Sequence, residues 1–119
     1  MEIDIIESNG IKITVLNSLG ISIRETQDAL DLMTNSIYLE SQKIIIKEDQ
    51  ITPEFFDLRS GIAGEILQKF STYDVQLAII GDFTKYSSKN FRDFMFESNK
   101  YGQINFVNTL EEAKEKLSR

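Results

Sequence analysis

The stretch EIDIIESNGIKITVLN alternates apolar and polar residues on both sides of Asn9-Gly10. A period of two marks a strand with one buried face, and Asn-Gly tolerates positive φ at both central positions of a type I′ turn. Residues 2–17 therefore predict a β-hairpin. Three more apolar runs, KIIIK (43–47), VQLAIIG (75–81) and QINFV (103–107), are too short for helices and are bounded by polar segments, so each predicts a strand.

Helical patterns fill the intervals. Ser22-Ile23-Arg24-Glu25 has capping-box spacing and predicts a helix with Thr26, Ala29, Leu30, Met33 and Ile37 facing inward and Glu25, Asp28 and Asp31 facing out. Further helices are predicted over 60–72, over 88–101 with Gly102 as the C′ residue, and over 110–118. Thr109-Leu110-Glu111-Glu112 is a second capping box, and Leu110, Ala113 and Leu117 give the last helix one apolar stripe. The order is β-β-α-β-α-β-α-β-α. Strands separated by single helices imply right-handed crossovers and a largely parallel sheet, with the hairpin supplying an antiparallel portion at one side. The fold class is α/β, with a mixed sheet and about four helices in a single domain over residues 1–119. No repeat, low-complexity tract or linker interrupts it.

The segment FFDLRSGIAGEILQKF (55–70) has two readings. Thr52-Pro53 reads as an N-cap followed by proline at N1, with Phe55 and Phe56 anchoring the segment to the core. From Ser60 onward, Ile62, Ala63, Ile66, Leu67 and Phe70 recur at helical spacing, and Gly61 and Gly64 fall inside that stripe. A glycine inside a helix costs about 1 kcal/mol relative to alanine, so the pair calls either for close packing or for use of the helix start. A helix beginning at Ser60 would aim free amides and the positive dipole end at whatever lies there, and a phosphate or carboxylate suits that position.

Composition narrows the chemistry. The 119 residues contain no cysteine and no histidine, which excludes disulfides, thiolate nucleophiles, Cys/His zinc sites and imidazole-based triads. Net charge is −6, so the basic footprint of a nucleic-acid binder is missing. The charge is uneven: residues 1–58 carry 11 acids and 4 bases, while residues 59–119 carry 8 acids and 9 bases. The acidic half reads as a solvated face or as a field that orients a partner. The N-terminus lacks the pattern of a signal peptide and no 18-residue apolar run follows, so the expected setting is cytoplasmic, with no membrane partner.

The order of elements resembles the STAS domain, the fold of bacterial anti-sigma factor antagonists, and NTLEEAKEKL is similar to the last helix of many such domains. That resemblance implies a non-catalytic module that binds a protein partner. In that family an Asp-Ser-Ser-Gly turn opens the second helix, and phosphorylation of a serine there switches binding off. Ser60-Gly61 matches the end of the motif. Arg59 stands where the other hydroxyl residue belongs, Leu58 where the aspartate belongs, and Asp57 lies one position early. FFDLRSGIAGEILQKF together with LAIIGDFTKYSSKNFRDFMFESN is similar over a longer span to an uncharacterised bacterial family, domain of unknown function 4180. This second resemblance implies no activity.

Two further features stand out. IIGDFTKYSSKNF (79–91) leaves a strand at Gly81-Asp82 and enters a helix capped by Ser87 or Ser88, at the end of the sheet where α/β proteins bind ligands. Asp82, Lys85, Tyr86, Ser87 and Lys89 could hold a small anion there, or could form a polar loop with an ordinary cap. On the following helix Phe91, Phe94, Met95 and Ser98 share a face and Phe96 lies off it, so Phe96 is expected to be exposed, as an isolated ring or as a homodimer contact.

The carboxylates Asp49, Asp57 and Asp82 lie near element ends without a spacing that specifies metal or acid/base chemistry, and there is no Walker A run and no G-x-G-x-x-G. The sequence therefore predicts no cofactor, no metal and no catalytic residue. The leading expectation is a regulatory protein-interaction module with Asp57, Arg59, Ser60 and Gly61 as its phospho-switch or partner surface. The alternative is a small-anion sensor or carrier built on the loop from Gly81 to Lys89.

Overall fold

The structure is a computed structural model that describes residues 1–119. Its strands are β1 (Ile3–Ser8), β2 (Ile11–Leu16), β3 (Lys43–Lys47), β4 (Gln76–Ile80) and β5 (Ile104–Val107). Its helices are α1 (Thr26–Tyr38), α2 (Ile62–Thr72), α3 (Lys89–Tyr101) and α4 (Leu110–Leu117), and the strand and helix order matches the predicted one. Three 3-10 turns, Glu48–Gln50, Pro53–Phe56 and Leu58–Ser60, occupy the connection from β3 to α2.

The five strands lie side by side in chain order, β1-β2-β3-β4-β5. The hairpin pair β1 and β2 is antiparallel and every later pairing is parallel. The hairpin turns at Asn9 (φ 53°) and Gly10 (φ 76°), the two positive angles a type I′ turn requires. Because each crossover steps the same way along the sheet, α1, α2 and α3 collect on one face. Alternation along the strands directs Leu16, Ile44, Ile46, Leu77, Ile79, Ile104 and Phe106 toward those three helices. Ile13, Ile45, Ala78 and Val107 point to the other face, where only Ala113 and Leu117 of α4 join them in a small second core.

β5 is an edge strand, and its free side is satisfied from α3. The Asn99 side chain accepts from the Phe106 backbone N–H (2.7 Å) and donates through Nδ2 to the Phe106 carbonyl (3.4 Å), standing in for a neighbouring strand.

Several local expectations change. α1 begins at Thr26, and its capping box pairs Glu25 with Asp28. Ser22 instead bonds the Ser18 hydroxyl, because buried Ile23 forms a bridge with Ile51 that keeps this segment extended. The buried stripe of α1 is Ala29, Leu32, Met33 and Ser36, while Ile37 is exposed. A buried hydrogen bond of 2.7 Å between Thr14 and Ser36 fixes that rotation. Leu110, expected on the apolar stripe of α4, is also exposed, since only Ala113 and Leu117 reach the sheet. α2 begins at Ile62. Ser60 ends a 3-10 turn, and Gly61 is the N-cap at φ 80°. Gly64 packs against nothing, for a Cβ there would meet no atom within 4 Å.

Candidate functional site

Parallel strands bring the loops at their carboxyl ends together, and here those loops are 17–25 after β2, 48–61 after β3, 81–88 after β4 and 108–109 after β5. Gln50 pins the second of them. Its buried side chain donates to the carbonyls of Leu16 (3.1 Å) and Ser18 (3.0 Å) and accepts from the Lys47 N–H (2.8 Å), which ties the end of β3 to the end of β2.

Glu48, the first residue after β3, is the centre of this region, and the sequence reading passed over it. Its side chain is 13% exposed, its Oε2 accepts from the Tyr86 hydroxyl, and the same oxygen pairs with Lys85 Nζ at 2.8 Å. Gly81 makes this approach possible, since a Cβ there would stand 2.6 Å from Glu48 Oε1 and 2.7 Å from Glu48 Cβ. The adjacency of β3 and β4 is the signal that would have found Glu48, once both parallel strands were recognised as neighbours. Burial pushes the Tyr86 phenol above its ordinary range, and the hydrogen bond and charge of Glu48 push it the same way.

Behind this polar cluster lies an aromatic one. The Tyr86 ring stacks on Phe56 at 4.7 Å and 14°, and Phe55, Phe83, Phe91, Phe94 and Phe106 continue the contacts inward. Thr52 caps the Pro53–Phe56 turn as the sequence implies, and that turn delivers Phe55 and Phe56 to the core.

The predicted switch residues form a tight turn. Asp57 accepts from the Arg59 N–H (3.1 Å), from Arg59 Nε (3.1 Å) and from a terminal guanidinium nitrogen (3.1 Å). The Arg59 side chain bonds lower the Asp57 carboxyl below the usual carboxylate range and raise Arg59 in turn. Ser60 is exposed, and its hydroxyl donates to the Glu54 carbonyl (2.6 Å) and accepts from the Ile62 N–H (3.2 Å). Phe56, Asp57, Leu58 and Arg59 form one wall of a groove of about 410 Å³, and Ser88 and Asn90 at the start of α3 form the other.

The members of the predicted anion loop turn mostly inward on each other. Asp82 accepts from the Thr84 hydroxyl (2.6 Å) and N–H (3.1 Å), which lowers its carboxyl, and Lys85 is taken by Glu48. Lys89 pairs with Asp93 at 2.8 Å, Ser87 is exposed, and Ser88 is the residue that caps α3. Phe96 stands apart from all of these, 64% exposed on α3 with the Lys100 ammonium 5.5 Å from its ring centre. No helix is long and apolar enough to cross a membrane.

Fold and site together define a small mixed α/β domain, three helices on one face of its sheet and one on the other, with loops of polar and aromatic residues at the strand carboxyl ends. The chain belongs to the family described as domain of unknown function (DUF4180), whose profile matches residues 8–117. No curated protein and no solved structure matches it.

Proposed function

We propose that this protein is a non-catalytic regulatory module that binds a protein partner at the groove between the Leu58–Ser60 turn and the start of α3, and that phosphorylation of Ser60 switches the binding. The observation that carries this reading is the convergence of two segments, distant in sequence, into one groove lined by Arg59, with exposed Ser60 next to Arg59 in the chain. The Arg59 side chain is 91% exposed, and with Nε and one terminal nitrogen on Asp57 its other terminal nitrogen is left to donate to a carboxylate or amide on a partner.

Phosphorylation would act through the same turn. The Ser60 oxygen would lose the proton it donates to Glu54, and a group of about −1.5 to −2 charges would stand beside Arg59 and the N-terminus of α2. Arg59 would then be drawn from Asp57 toward the phosphate, which rearranges one wall of the groove.

The test is affinity capture with wild type and Ser60→Glu in parallel, quantified by mass spectrometry, with intact mass recorded for protein taken from its native source. The expected result is a partner enriched on wild type and lost on Ser60→Glu, with matching circular dichroism for the two proteins. A partner retained equally by both would refute the switch, and a partner retained after Arg59→Ala would refute the location.

A further inference from the structure

The geometry points to a second site, separate from the groove at Arg59: a pocket at the carboxyl ends of β4 and β5 that binds a small organic anion with a flat apolar body, such as an aromatic carboxylate. It takes up the anion expectation attached to the 81–89 loop but assigns the charge to a different residue, Arg92. The pocket is about 350 Å³ and is lined by Phe83, Thr84, Tyr86, Arg92, Met95 and Asn108. That size lies within the range of small-molecule sites.

Three observations carry the assignment. The first is topological. The connection after β4 leads to α3 on one face of the sheet, and the connection after β5 leads to α4 on the other. Loops leaving neighbouring parallel strands toward opposite faces open a crevice between them, which is where open α/β sheets accept ligands, and nowhere else in this sheet do neighbouring parallel strands diverge in this way.

The second is charge. Lys85 and Lys89, the cations of the loop itself, are neutralised by Glu48 and Asp93, whereas Arg92 takes part in none of the ion pairs. The nearby carboxylates are already engaged: Asp82 by Thr84, Glu48 by Tyr86 and Lys85, and Glu112 by the Asn108 N–H at 3.2 Å. Arg92 is thus the one charged residue lining the pocket, and its planar fork matches a carboxylate in two hydrogen bonds. Asn108 also lines the pocket, and its side-chain amide is a second hydrogen-bond donor type there.

The third is the wall. The Tyr86 hydroxyl is already bonded to Glu48, and Tyr86, Phe83 and Met95 together supply the apolar part of the lining. A bare inorganic anion would use Arg92 and Asn108 and leave this wall unsatisfied. A ligand with an aromatic body would use both.

The experiment is a titration of isotope-labelled protein with benzoate, followed by amide chemical shifts, with inorganic phosphate as the comparison. Benzoate should shift the amides of Thr84, Arg92 and Asn108, and Arg92→Gln should weaken it about tenfold or more. Arg24→Gln, which removes an exposed charge elsewhere, should leave the titration unchanged, and so should Ser60→Glu, which separates this site from the proposed switch. Met95→Ala should weaken benzoate and spare phosphate. Absence of those shifts with benzoate, equal binding by Arg92→Gln, or phosphate binding as tightly as benzoate would each overturn the assignment.

Discussion

Tyr86→Phe isolates a single hydroxyl. The substitution keeps the ring, its stacking on Phe56 and its place in the aromatic cluster, and removes only the hydrogen bond to Glu48. A hydrogen bond to a charged group is worth about 1.5–3 kcal/mol when buried. Tyr86 is half-buried and Glu48 keeps Lys85, so the loss should be about 1–2 kcal/mol, or a fall of about 4–8 °C in Tm. The effect must also depend on pH. Folding raises the Tyr86 phenol above its unfolded value near 10, so its contribution is complete below pH 10 and is lost as the pH rises beyond it. The stability gap between wild type and Tyr86→Phe should therefore be constant from pH 7 to 9 and shrink above 10. Urea unfolding followed by circular dichroism at pH 8, 9.5 and 10.5 measures both effects. A gap under about 0.3 kcal/mol at pH 8, or one that does not change at 10.5, would refute the assignment of Tyr86 as the donor that holds Glu48.

Two glycines should respond in opposite directions. Gly64→Ala, in open space on α2, should stabilise the protein by about 0.5–1 kcal/mol, read as a rise of about 2–4 °C in Tm by calorimetry. Gly81→Ala should destabilise it by about 1–3 kcal/mol, because the new methyl meets Glu48 Cβ and not just the mobile carboxylate. A neutral Gly81→Ala would mean that β3 and β4 separate more easily at this end than their register implies.

Much of the fold was legible because its signals are local. The Asn9-Gly10 turn, the short β-branched runs and the Thr52, Ser88 and Thr109 caps each depend on residues a few positions apart, and the caps all form hydrogen bonds to their own helix or turn. The errors share an opposite cause. Ser22 looks like a cap until Ile51, far along the chain, draws Ile23 into a bridge, and Ile37 looks buried until Thr14 turns the helix through Ser36. Glu48 was invisible as a site residue for the same reason. Its partners Lys85 and Tyr86 lie nearly forty residues away, and only the pairing of β3 with β4 brings them close. Arg92 carried no signal of its own, because no pattern in sequence tells which cations will find a counterion.

The arrangement of the sheet has a consequence for how the chain is made. Since strand order in space equals strand order in sequence, each newly synthesised strand can dock on an edge already formed, and the three-helix face can be covered as the chain emerges. The other face has no such provision. Ile13, Ile45 and Ala78 are exposed apolar surface until Ala113 and Leu117 arrive, and those belong to α4, which follows all five strands in the chain. A nascent chain from which α4 has not yet emerged would hold a nearly complete sheet with one bare side, the kind of surface on which chaperones act and on which stalled or truncated copies aggregate.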